Sequence, residues 1–217
     1  MPQITSIEPQ KKNKGRFNIY LDDHFAFGID ENTLVKNQLK VNQHLSEDQI
    51  EKLIKENVLV KLQDAALRFL SYRPRSEKEV RDYIINKIAK QENIKYSQAK
   101  ESPLTEQIIS KFKKYKYLDD RQFAKWWIAS RKIRPKGLQI VKWELKRKGI
   151  TDDIVQKLAK YIPNQKELAQ KAISKKIKLW QKLPPLDRKK KIYQFLASRG
   201  FDFDIIKEVF AHFAKKQ

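Results

Sequence analysis

Two segments 51 residues apart, "LKRKGITDDI" at 145–154 and "LASRGFDFDI" at 196–205, repeat one another. Leu145 matches Leu196, Gly149 matches Gly200, Ile150 matches Phe201, Asp153 matches Asp204 and Ile154 matches Ile205. A helix ending at a glycine, a buried apolar residue, a polar N-cap (Thr151 or Asp202) and a new helix would account for every position. "LTEQI" at 104–108 fits the same place in an earlier copy. The expected fold is therefore mainly α, with three-helix units in tandem over 61–116, 117–162 and 163–217. Units this short bury their apolar faces poorly alone, so stacking should complete the core in an elongated, curved array.

Residues 1–60 break the pattern. Here "ITSIEPQKKNKGRFNIYLDDHFAFGID" has apolar runs around "KKNKG" and a second short turn at Asp22-Asp23, as in a small β-hairpin or three-stranded sheet. Ser46 is a good helix start ahead of Ile50, Leu53, Ile54 and Leu59, so a linker helix should lead out of this β-rich extension. Charge divides at the same place. Residues 1–60 hold 8 Lys+Arg against 9 Asp+Glu, and the rest hold 40 against 17, within a net charge of +22. Such an excess favours a polyanionic partner, nucleic acid above all. The absence of cysteine excludes disulfides and thiolate metal sites, and suits a reducing compartment. With no spanning apolar run, a soluble, cytoplasmic protein without membrane contact is expected.

"YLDDRQFAKWWIASR", 117–131, poses a choice between a catalytic carboxylate pair and a helix start. Asp119 with Gln122 three residues on makes an N-cap pattern, and both Asp119 and Asp120 sit where the helix dipole favours negative charge. An active site would need further acids or histidines nearby, and His24, His44 and His212 lie in other segments. The aspartates are expected to cap. No P-loop, acidic cluster or metal-ligand spacing appears, so neither an enzyme, a metal nor a cofactor is expected. Phe123, Ala124, Trp127 and Ile128 share the packed side of this helix. Trp126 falls on the flank, where core-edge packing and a partly exposed anchor both remain open.

The densest basic run is 121–148, with ten Lys or Arg and one acid, Glu144. In its second helix Leu138, Val141 and Leu145 form one apolar stripe, with Ile140, Trp143 and Arg147 opposite, which suits the middle of a stack and favours contact between Trp143 and a neighbouring repeat. Arg131, Lys132, Arg134 and Lys136 surround the Pro135-Gly137 turn and are expected to project together toward phosphates or an acidic partner. Lys125, Trp126, Lys142 and Arg147 on the adjoining helices join them as contact candidates. The first repeat has a similar corner at Arg73-Pro74-Arg75, followed by Ser76 and Glu79 as a capping box. Arg73 and Arg75 complete the candidate set.

"ALRFLSYRPRSEKEVRDYI", "YLDDRQFAKWW" and "ELKRKGI", in that order, resemble the RecX family of bacterial regulators of the RecA recombinase. The resemblance runs from about residue 62 through the second repeat, continues more loosely through the third, and reaches the first sixty residues only in that many members carry an extension. It implies a curved helical array lying in the groove of the RecA filament on single-stranded DNA. There it would suppress recombinase, ATPase and coprotease activity without being an enzyme. A monomer is expected. Two departures stand out: "RPKG" with Pro135 where the family often has a glycine-rich turn, and an extra polar stretch, "AKQENIKYSQAKESP", at 89–103. A basic nucleic-acid-binding protein acting without RecA is the alternative.

Overall fold

A computed structural model gives the fold for residues 1–159, 161 and 164–214. The chain divides into two compact units, one of residues 1–72 and 83–110, the other of residues 73–82 and 111–217.

In the first unit, β1 (Ile4–Gln10), β2 (Asn13–Leu21) and β3 (His24–Asp30) form an antiparallel sheet in the order β1-β2-β3. The first turn is tighter than the sequence suggests, since Asn13 to Gly15 already belong to β2. The second places Asp22 and Asp23 at φ 47° and 64°, the paired left-handed conformation that matches strand twist in a two-residue hairpin. Ile19 lies opposite Ile7 and Phe17 opposite Ile29. One face closes over Ile4, Ile19, Phe27 and Ile29 together with Leu45 and Leu53. A short α1 (Glu31–Lys36), capped by Asp30, follows the sheet. Next comes α2 (Glu47–Ser71), which starts at Ser46 in a reciprocal capping box with Gln49 and runs unbroken past residue 60. Its Asn57 is buried and accepts a hydrogen bond from Arg16 of β2.

Three further helices follow: α3 (Glu77–Glu92), the one-turn α4 (Tyr96–Ala99) within the extra polar stretch, and α5 (Pro103–Lys114). The echo at 104–108 is displaced relative to the later copies. Proline at the first position starts α5 early, so Thr105 lies inside the helix, buried and with no hydrogen-bond partner for its hydroxyl.

The second unit carries two complete copies of the helical pattern. Helices α6 (Asp120–Ser130), α7 (Leu138–Arg147) and α8 (Asp152–Ala159) enclose Phe123, Ala124, Ile128, Val141, Leu145, Ile150, Val155 and Leu158. Helices α9 (Gln165–Trp180), α10 (Pro185–Ser198) and α11 (Phe203–Ala214) enclose Leu168, Ala169, Ile173, Ile192, Leu196, Phe201, Ile206 and Val209. The repeated glycines act as expected. Gly149 (φ 81°) and Gly200 (φ 77°) end α7 and α10 with the same two bonds, Gly149 N to Lys146 O with Ile150 N to Leu145 O, and Gly200 N to Ala197 O with Phe201 N to Leu196 O. Asn93, at φ 54°, ends α3 likewise, with Ile94 N bonded to Ala89 O. That third copy escapes a search for glycine.

Candidate nucleic-acid interface

The two aspartates of "YLDD" cap two different helices. Asp119 accepts from the backbone N–H groups of Arg121 (2.8 Å) and Gln122 (3.0 Å) at the start of its own helix α6. Asp120, the first residue of α6, accepts at 2.8 Å from the N–H of Glu77, the first residue of α3. Burial raises the pKa of Asp120, and the hydrogen bond from Glu77 only partly offsets it. An equivalent bond joins the next pair of domains: the N–H of Leu138, first in α7, donates at 2.9 Å to the side chain of Gln165, first in α9.

Both α3 and α7 thus receive a capping bond at their first residue from the domain that follows. The corner before that helix also rests on the following domain's C-cap glycine. The Cβ of Lys78 stands so close to Gly149 that a Cβ added there would lie 2.8 Å away, and its Nζ donates to Arg147 O at 3.3 Å. At the second joint the approach is backbone to backbone. Gly137 N donates to Arg199 O at 2.8 Å, and a Cβ on Gly137 would fall 1.9 Å from Gly200 O.

These joints decide which cations are left for a partner. At the first corner Ser76 and Glu79 form the expected capping box. Glu79 also takes both arms of the Arg73 guanidinium (2.8 and 3.2 Å) and Lys148 (2.7 Å). Burial alone would raise the pKa of Glu79, but bonds from Arg73 and Lys148 outweigh it and hold the carboxyl at about 2. Arg73 also lies 5.7 Å from the Trp126 ring. Arg75 is half-buried, and burial followed by the adjacent Arg73 lowers its pKa from the usual guanidinium range.

At the second corner the expected projecting quartet is not what forms. Arg131 turns inward: its guanidinium bonds Glu144 at 2.7 and 2.8 Å and stacks 4.3 Å over Trp127, leaving the side chain 16% exposed. Lys136 reaches the other oxygen of Glu144 at 3.1 Å, and Trp127 Nε1 donates to the same carboxylate at 3.0 Å. Glu144 is the lone acid of the run and sits on the inner flank of α7, so it draws in the cations within reach. Lys132 and Arg134 remain exposed at the turn. Arg134 makes no ion pair with a described residue, while the carbonyl of Lys132 accepts from Lys171 at 2.8 Å.

Of the remaining candidates, Trp126 is half-buried against Phe123 and Trp127, at centroid distances of 5.9 and 6.0 Å. It is an edge of the core. Lys125 is exposed, 5.9 Å from the Tyr161 ring, at a basic hollow of about 380 Å³ also lined by Arg121, Gln156 and Lys157. Lys142 is half-buried and Arg147 exposed. Trp143 is more open than a residue held between repeats would be: it is 55% exposed, with the Arg147 guanidinium over its ring, 4.7 Å from the centroid. The joint is made at the first turn of α7, where Ile140 meets Gly200, and Trp143 lies a turn beyond it.

Among the described residues, no group of three or more His, Asp or Glu could hold a metal ion, and no helix is long and apolar enough to cross a membrane. Capping-and-corner joints, repeated with cations gathered around single acids, define a tandem three-helix-domain protein with basic corners. Family models for RecX match the chain in four parts: its N-terminal domain over 2–46 and its first, second and third three-helix domains over 64–91, 119–158 and 164–210. The relative from Bacillus licheniformis, named Regulatory protein RecX, is 38% identical over 95% of this chain and 75% of its own length, and one from Bacillus subtilis of the same name is 36% identical over the same shares. A crystal structure titled as regulatory protein RecX superposes with a TM-score of 0.67 at 28% identity, covering 96% of this chain and 98% of that one. The chain belongs to the RecX family. Its first residues belong with the rest, since the N-terminal match over 2–46 makes the sheet part of the family fold rather than a general extension.

Proposed function

We propose that the chain is a non-enzymatic regulator that binds the RecA filament on single-stranded DNA and lowers its recombinase, ATPase and coprotease activity, acting as a cytoplasmic monomer. Membership of a family whose relatives are named regulatory supports the first part. The second corner carries the rest. Lys132 and Arg134 stand exposed on a turn whose backbone is pinned by the Gly137–Gly200 approach, and the inward pairing of Arg131 and Lys136 keeps the turn in shape. Cations fixed in this way meet phosphates or carboxylates with little loss of side-chain and loop freedom.

The test is a titration of the chain into RecA with single-stranded DNA and ATP, following ATP hydrolysis. The parent should suppress turnover at near-stoichiometric concentration, and Lys132→Glu with Arg134→Glu should need at least tenfold more, because attraction becomes repulsion at both sites. Suppression by the variant at the parent's concentration removes the corner from the contact. Tight binding of bare single strands with no effect on RecA turnover would favour action without the recombinase.

A further inference from the structure

We propose that Trp143 is a stacking platform for an unpaired nucleobase, with the Arg147 guanidinium beside it as the partner of the adjoining phosphate. The proposal rests on the reading that the chain contacts single-stranded DNA, and it names the residue that would read the strand's unpaired state. Of the four tryptophans, Trp126 and Trp127 pack on the core of the second domain and Trp180 on that of the third. Only Trp143 is mostly exposed, at 55%.

Its surroundings set the kind of partner. On α7 the opposite side, Val141 and Leu145, is buried, and Ile140 is occupied by the joint with Gly200. The residues a turn away from Trp143 on its own side are therefore Gln139, Lys146 and Arg147. A protein-binding hot spot sits in a well-packed, desolvated pocket ringed by contacts that exclude water. Here the rim is polar and cationic. Lys146 is engaged with Asp152 at 2.8 Å, whereas the exposed Arg147 lies over the indole, 4.7 Å from its centroid, and the neighbouring Lys142 makes no ion pair with a described residue. An exposed indole with a guanidinium over one face suits a nucleotide, with the base on the opposite face and the phosphate on the fork. A base pair inside a duplex offers no free face, so this site would discriminate single from double strands where the exposed lysines cannot.

The experiment measures anisotropy of labelled oligo(dT) and of a labelled duplex across a salt series, with the full chain and its variants. Trp143→Ala should lower single-strand affinity about tenfold, with the slope of log affinity against log salt unchanged. Its duplex affinity should stay within twofold of the parent, and Trp143→Phe should recover most of the loss. Arg147→Ala should make the salt slope shallower by about 0.7. Since the ring is exposed, the thermal midpoint of Trp143→Ala should match the parent, which separates stacking from folding. Single-strand affinity of Trp143→Ala within twofold of the parent, while Arg134→Glu weakens binding, overturns the stacking site and leaves the basic corner standing. Unchanged oligo(dT) binding with lost suppression of RecA turnover overturns it too, making Trp143 a protein contact. A parent with no affinity for oligo(dT) at low salt removes both readings.

Discussion

The two corners of the second unit begin with the same dipeptide, Arg73-Pro74 and Arg134-Pro135, and serve the same joint by different chemistry. At the first, a serine caps the helix, its N3 glutamate collects two cations, and the contact with Gly149 is made by the stem of Lys78. At the second, Gly137 has no capping side chain, Gln165 of the next domain accepts from Leu138 N instead, and the contact is backbone to backbone at a distance only glycine allows. The gathering acid has moved about one turn along the helix, to Glu144 of α7. The first corner thus closes its charges upon itself. The second holds its backbone more tightly and leaves Lys132 and Arg134 outside. Rigidity and exposed charge are compatible because different residues supply them.

Gly137→Ala should show the largest effect, because the new Cβ would overlap the Gly200 carbonyl and force the joint apart. A loss of roughly 3 kcal/mol is expected in chemical unfolding. Ser76→Ala, which removes the equivalent cap at the first corner, should cost about 1 kcal/mol. Equal losses would mean that the two joints are not built differently.

The gathering acids come next. Glu144→Gln leaves Arg131 without its carboxylate in a half-enclosed site and should cost roughly 2 kcal/mol, less than a fully buried pair. Replacing Arg131, Arg134 and Lys136 together by Glu would break the same pairs from the other side, so such a variant should be defective in folding as well as in binding. Glu79 can be tested by pH alone. Its carboxyl lies at about 2 against an ordinary value of 4.5, so its contribution is complete above the unfolded value and disappears as pH falls from about 4.5 to about 2. Up to about 3 kcal/mol is involved. Glu79→Gln should flatten stability across that window, and a parent whose stability is already flat there would show that the pairing with Arg73 and Lys148 is energetically idle.

The smallest effect sharpens the comparison most. Asp120→Asn converts the borrowed cap of the first joint into a neutral amide like Gln165 of the second. Burial already disfavours the Asp120 carboxylate, so thermal unfolding at neutral pH should change by less than about 1 kcal/mol. A loss of more than about 2 kcal/mol would mean the charge itself is needed at the start of α3.

Much of this molecule is local and can be read along the chain. The tight turn at Asp22-Asp23, Ser46 as a helix start, the Ser76–Glu79 capping box, Asp119 as a cap and the glycines at 149 and 200 each depend on contacts spanning a few residues, which residue type and spacing fix directly. Asn93 as a third C-cap was within the same reach but lacked the glycine that marked the others.

Tertiary structure alone decided what lies far apart in sequence. Asp120 meets Glu77 across 43 residues, Lys148 meets Glu79 across 69, and Leu138 meets Gln165 across 27. Ten cations in one run fixed the sign of the surface, but which of them Glu144 would draw inward depended on the turn of α7 against α6. The helical period placed Ile140 and Trp143 on one side, and the joint covers only the first. A charge or a ring is free or spent according to what the next domain brings within about 4 Å, a distance that one-dimensional spacing does not carry.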